Sequence, residues 1–144
     1  IMDRVGAAGA GLADWTESNT ATGPPSRGTT KPKFGNAVLT LTMTNSGGSA
    51  EVIERNQTLL DVDAGETWSF SAWIYLAALS NAKAGLVVLY NDGSATVASV
   101  YLTSVNTGFA QVKIEGQTVP AGATQAIIKL RLEATAGSAT GTAY

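Results

Sequence analysis

The 144-residue chain contains no cysteine and no histidine. Without thiols there is no disulfide framework and no thiolate nucleophile, and the redox compartment stays open. Without imidazole as well, the Ser-His-Asp and Cys-His arrangements are excluded, and so are most zinc sites, because those chemistries need a group that titrates near neutrality. Charge is also scarce: Asp, Glu, Lys and Arg make up 14% of the residues, against about 25% in an ordinary domain. The nine basic residues are scattered and the net charge is −2, so no stripe exists to track a phosphate backbone and nucleic acid is not expected as a partner. Apolar runs such as Leu86 to Tyr90 fall far short of the roughly 20 residues that cross a bilayer, so no membrane insertion is expected. The chain starts at Ile1, not at an initiator, and no secretory signal is visible.

What is present is alternation. Residues 1–13, IMDRVGAAGAGLA, carry no sustained period and read, through residue 17, as a Gly/Ala-rich entry segment with a first strand. Residues 18–36 hold three of the four prolines among turn formers and read as a long surface loop, not a strand. From Asn36 onward, short period-two segments are punctuated by NSGGS, DAGE, NDG, NTG and PAG. In NAVLTLTMT, Ala37, Leu39, Leu41 and Met43 share one face and Thr40, Thr42 and Thr44 the other; in QAIIKLRLEA, Ala126, Ile128, Leu130 and Leu132 oppose Lys129, Arg131 and Glu133. No helical period is found. About eight such strands in one domain, 18–144, predict an all-β, two-sheet antiparallel sandwich, since a single sheet cannot cover its own apolar face. Leu39, Leu41, Phe70, Ile74, Ile128, Leu130 and Leu132 are the expected core. Tyr90 sits in LVVLY, apolar on both faces, and its register cannot be assigned from sequence.

The stretch GETWSFSAWIYL puts Trp68, Phe70, Ala72 and Ile74 on one parity and Ser69, Ser71, Trp73 and Tyr75 on the other. The first row is the core face. Two large aromatics on the second row need a covering segment or a ligand.

These residues also carry a resemblance. Gly65, the aromatic at 68, Phe70, Ser71, Trp73, a Gly-punctuated apolar strand, the aromatic at 109 and VPAGATQAIIKLRL together resemble the jelly-roll carbohydrate-binding modules and related galactose-binding-like domains, over roughly residues 35–144. The family usually has Tyr at position 68 and Trp at 109, where this chain has Trp and Phe. The resemblance implies a jelly roll that binds glycans without catalysis, in an extracellular or virion-surface protein such as a phage tail. It also implies a structural calcium held by loop oxygens and an aspartate following an aromatic like Tyr144; the sequence itself names no metal ligand. A chain of this kind is expected to be part of a larger protein.

Sugars stack flat C–H faces on aromatic rings and pair hydroxyls with planar polar groups. By parity the candidate glycan contacts are Trp73, Tyr75, Tyr101, Lys129 and Arg131, with an ordinary solvated strand face as the bland reading of the two cations. Enzyme chemistry would have to run on carboxylates. The close pairs Asp61 with Asp63 and Glu51 with Glu54 are poorly spaced to face each other across a cleft, so no catalytic residue is assigned. NQT at 56–58 matches a glycosylation acceptor. Two classes remain open: a glycan-attachment domain that holds a polysaccharide or cell-surface glycan, and a structural decoration or tail component whose sandwich packs against neighbouring protein subunits. Low charge and abundant small residues suit the second.

Overall fold

The computed structural model describes residues 16–19, 21–22, 26–28, 38–60, 62–92 and 98–144. Alternation builds strands throughout: β1 (Thr16–Asn19), β2 (Ser26–Gly28), β3 (Val38–Met43), β4 (Val52–Leu60), β5 (Thr67–Ile74), β6 (Leu76–Ser80), β7 (Ala82–Tyr90), β8 (Ala98–Leu102), β9 (Ala110–Thr118), β10 (Gln125–Ala134) and β11 (Thr140–Ala143). No helix occurs among the described residues, and so none there is long and apolar enough to cross a membrane.

The first sheet has the order β1-β4-β10-β7-β8, antiparallel throughout. The ladders β2-β3-β11-β6 and β5-β9 together make the second. Only Tyr75 separates β5 from β6, and its N–H and C=O exchange hydrogen bonds of 2.8 and 2.9 Å with Tyr144 at the end of β11. β5 and β6 therefore run as one strand, with β11 beside its second half and β9 beside its first. The fold is the two-sheet antiparallel jelly-roll sandwich that the alternation and the resemblance predict.

Between the sheets lies one apolar cluster. Leu41, Met43, Phe70, Ile74, Leu76, Val112 and Ile114 come from one sheet, and Ile53, Leu86, Val88, Leu130 and Leu132 from the other. Of the expected core, Leu41, Phe70, Ile74, Leu130 and Leu132 are buried, while Leu39 and Ile128 pack against the cluster half-buried. Tyr90 joins it too: it pairs with Ala126 in the inward row and is buried. Two of the turn signals form the same device. Glu66 N–H bonds to the Asp63 carbonyl and Ala123 N–H to that of Pro120, with Gly65 at φ 87° and Gly122 at φ 86° in the third position, a conformation that glycine adopts without a Cβ clash.

The chain departs from the sequence reading at its start. The stretch read as a loop over 18–36 begins inside β1 and contains β2, which pairs with Val38–Thr40 of β3. Both are sheet-edge strands with a single partner, so they need neither clean alternation nor a full set of ladder bonds. Counting these and β11, strands number eleven among the described residues, more than the eight or so expected. The entry segment at 1–13 and Ala37 lie outside the described residues.

Candidate functional site

A sandwich has two outer faces, and the five candidate residues divide between them. Tyr101, Lys129 and Arg131 stand on the outside of the first sheet; Trp73 and Tyr75 stand on the outside of the second. The five do not form one platform.

On the first sheet the pairing registers place Glu54 of β4, Arg131 of β10, Gly85 of β7 and Tyr101 of β8 in one row across the strands. The next row carries Asn56, Lys129, Val87 and Ser99, and Glu133 and Lys83 pair in the row on the other side. Side chains close over this surface. Lys129 Nζ lies 2.8 Å from Glu54 Oε1 and Arg131 Nε 2.7 Å from Glu54 Oε2. Arg131 Nη1 also reaches Glu133 Oε2 at 3.3 Å, Lys83 Nζ reaches Glu133 Oε1 at 3.0 Å, and the Tyr101 hydroxyl donates to Glu133 Oε2 at 2.9 Å. The Lys83 ammonium sits 4.2 Å from the centre of the Tyr101 ring, inside cation–π range.

Tyr101 bonds to β10 although β7 lies between β8 and β10. Gly85 makes this possible: a Cβ there would stand 2.8 Å from Tyr101 Cδ1, so the ring crosses β7 where no side chain obstructs it.

The bland reading of Lys129 and Arg131 as a solvated face does not hold. Their side chains are each 18% exposed and the Glu54 carboxylate beneath them 2%, whereas charged strand residues facing away from a core are ordinarily wet. The electrostatics respond accordingly. Burial pushes the Tyr101 phenol up to about 12, assisted by its hydrogen bond to Glu133 and by that residue's charge. Burial alone would raise Glu133, but hydrogen bonds from Lys83 and Tyr101 and attraction to Lys83 outweigh it and hold the carboxyl below its usual value. Arg131 is raised because its bond and attraction to Glu54 outweigh desolvation.

A phenol whose folded pKa is raised stabilises the fold below its ordinary value of 10.0, and that contribution is lost as pH rises through about 12. Phenolate absorbance of the wild type minus that of Tyr101→Phe should therefore titrate near 12. Titration near 10 would show that Tyr101 is neither withdrawn from solvent nor bonded to Glu133.

On the second sheet, Trp73 is 40% exposed. Tyr75 is half-buried, stacked on Tyr144 at 5.8 Å between ring centres and tilted against Phe109 at 5.9 Å. Sequence parity joined Trp73 to Tyr75. Phe109 and Tyr144 arrive from a loop and from another strand, by pairings that local pattern does not reveal.

The carboxylate pairs considered from sequence separate. Glu51 accepts from the Gly47 N–H at 2.8 Å, whereas Glu54 lies under Lys129 and Arg131; Asp63 is exposed and Asp61 lies outside the described residues. Asn56 of the NQT motif is in mid-strand, paired on both sides, with its Oδ1 withdrawn from solvent, an unsuitable place for a glycosylation acceptor. Among the described residues no three His, Cys, Asp or Glu side chains converge as a metal site. The calcium that the resemblance implies would draw on loop carbonyl oxygens as well as carboxylates, and we assign it no ligand.

No protein-family model matches the sequence, and no curated protein matches it. Solved structures do match in shape. TmCBM61, a module solved with beta-1,4-galactotriose, superposes with a TM-score of 0.61 at 14% identity, covering 92% of this chain and 87% of that one. The CBM22-1 xylan-binding domain of Paenibacillus barcinonensis Xyn10C gives 0.57 at 18% identity, over 90% and 80%. The enzymatically active domain of bacteriophage CBA120 tailspike protein 4 gives 0.61 at 20% identity, over 90% of this chain but 18% of the tailspike chain. At these identities the likeness shows the fold.

Proposed function

We propose that this domain binds glycans without catalysis, on the outer face of the first sheet, as an attachment module of a larger extracellular or virion-surface protein. The observation that carries the reading is the preorganised, half-desolvated polar surface built by Lys83, Tyr101, Lys129, Arg131, Glu54 and Glu133. Ionisable groups with shifted pKa values gather where a protein handles ligands, and here three of them adjoin one another. Two neighbours in shape, described as a galactotriose complex and as a xylan-binding domain, support the ligand class.

The hydrogen-bonding capacity left over suits a sugar. All four oxygens of Glu54 and Glu133 are engaged, whereas each lysine ammonium makes one of its three possible bonds in this network. Asn56 Oδ1 is withdrawn from solvent, accepts no hydrogen bond among the described residues, and lies opposite Lys129 in the ladder. A sugar hydroxyl could accept from the remaining Lys129 donors, and the Tyr101 ring offers an apolar flank to the same ligand. The surface is poorly made for hydrolysis. A glycosidase acid needs a carboxyl raised in pKa, whereas Glu133 is lowered and Glu54 is clamped by two cations.

Calorimetric titration with β-1,4-galactotriose and xylo-oligosaccharides tests the reading. Lys129→Met should weaken binding about tenfold or more, the scale of a lost charged hydrogen bond, with circular dichroism unchanged. Equal binding by wild type and variant would remove this face from the function. Absence of binding, combined with self-association in sedimentation, would favour a structural assembly component instead.

A further inference from the structure

We propose that the polar face of the first sheet selects glycans that carry a uronate, with the sugar carboxylate held at Lys83. The inference rests on the reading that this face binds glycan, and it adds the charge of the ligand and the residue that reads it.

The ion pairs of the face form one chain, which runs Lys129, Glu54, Arg131, Glu133, Lys83. Signs alternate along it, and both ends are cations. Three cations against two carboxylates leave an excess of one positive charge, on a protein whose net charge is −2. Neither carboxylate has an oxygen in reserve for that excess. Glu54 Oε1 and Oε2 take Lys129 and Arg131; Glu133 Oε1 takes Lys83, and its Oε2 takes Arg131 and Tyr101. Donors are in surplus, because each lysine uses one of its three N–H groups in this network and Arg131 two of its five.

A bound ligand strips water from such a surface. A neutral ring laid over it leaves the excess cation desolvated without a counter-charge, which is costly. A carboxylate on the sugar supplies the missing charge and accepts from the surplus donors. The cations are already largely withdrawn from water, with side chains 18% exposed at Lys129 and Arg131 and 27% at Lys83, so salt screens their attraction to an arriving anion only in part. A single carboxylate matches an excess of one. A run of phosphates would need a basic stripe, and the nine basic residues of this chain are scattered.

Lys83 is the more open end of the chain of charges. Its ammonium is fixed 3.0 Å from Glu133 Oε1 and 4.2 Å from the centre of the Tyr101 ring, and that ring is itself tied to Glu133 through its hydroxyl. Lys83 pairs with Glu133, four residues along β10 from Lys129, or about 13 Å at strand spacing. The row of Arg131 and Tyr101 lies between the two lysines. A uronate at Lys83 therefore lets the neutral rings of the same glycan run back over Tyr101 towards Lys129.

Calorimetry with three ligands on one backbone tests this: xylotriose, xylotriose bearing one glucuronic acid, and the methyl ester of that acid. The ester keeps the size and removes the charge. Wild type should bind the acid about tenfold or more tighter than the ester or xylotriose, the scale of a charged hydrogen bond, and added salt should narrow the gap. The preference should vanish in Lys83→Met and survive in Lys83→Arg, with equal melting temperatures as the folding control. Equal affinity of wild type for acid and ester overturns the inference, and that comparison needs no variant. If Lys129→Met then still weakens all three ligands, the glycan reading stands, so the two fail separately. An acid preference that persists in Lys83→Met also overturns the inference, and no binding of any ligand removes both readings.

Discussion

Replacing Gly85 by alanine is expected to cost about 3 kcal/mol of stability, at the upper end of overpacking, and to abolish whatever the first sheet's outer face binds. The added Cβ would collide with the Val100 carbonyl oxygen and fall 2.9 Å from Tyr101 Cα, both backbone atoms of β8. A side chain can swing away from such an intrusion; a strand bonded through the register Ala84–Val88 against Ala98–Leu102 cannot do so without breaking its ladder. β8 is the edge of its sheet, so the least costly relaxation is to peel it away, which withdraws the Tyr101 hydroxyl from Glu133. Gly48→Ala is the control, because a Cβ there meets nothing within 4 Å. Urea unfolding of the two variants should differ by nearly the whole effect. A Gly85→Ala protein within about 0.5 kcal/mol of wild type, with its Tyr101 titration unchanged, would contradict this geometry.

Parity located the faces of individual strands but not the sheets to which those strands belong. In QAIIKLRLEA the outward set Lys129, Arg131 and Glu133 was legible because the inward set is apolar without exception. Trp73 and Tyr75 were legible for the same reason. That β5 and β10 belong to different sheets follows from long-range pairing, Ala72 with Val112 on one side and Arg131 with Glu54 on the other, and period two carries no information about it. Glu54 was hidden for a further reason: VIERNQTLL does not alternate cleanly, since Ile53 and the polar Arg55 share a parity and are both buried. β7 is apolar on both parities, with Leu86 and Val87 both covered, so neither the inward placement of Tyr90 nor the role of Gly85 could be derived before the sheet was assembled. The calcium ligands and the entry segment rest on the resemblance and on residues beyond the described set.

Glu54 should prove a highly sensitive charged position among the described residues. Its carboxylate is 2% exposed and receives both Lys129 and Arg131, so Glu54→Ala leaves two largely desolvated cations facing each other. Removing one partner of a buried ion pair costs about 3–5 kcal/mol, and added salt should restore little, because ions screen such a site poorly. Replacing the whole cluster is a different experiment. Glu54→Leu with Lys129→Met and Arg131→Leu removes the desolvation cost together with the attraction, and such exchanges are often neutral or stabilising by about 1–4 kcal/mol. Chemical denaturation should therefore rank the single variant far below wild type and the triple variant close to it or above. If the cluster exists to hold the fold, the triple variant should be destabilised like the single one. If it exists to bind a sugar, the triple variant should be stable and blind to glycan at this face. A stable triple variant that no longer binds glycan would mean that the network is kept for recognition and that apolar residues could cover the same surface.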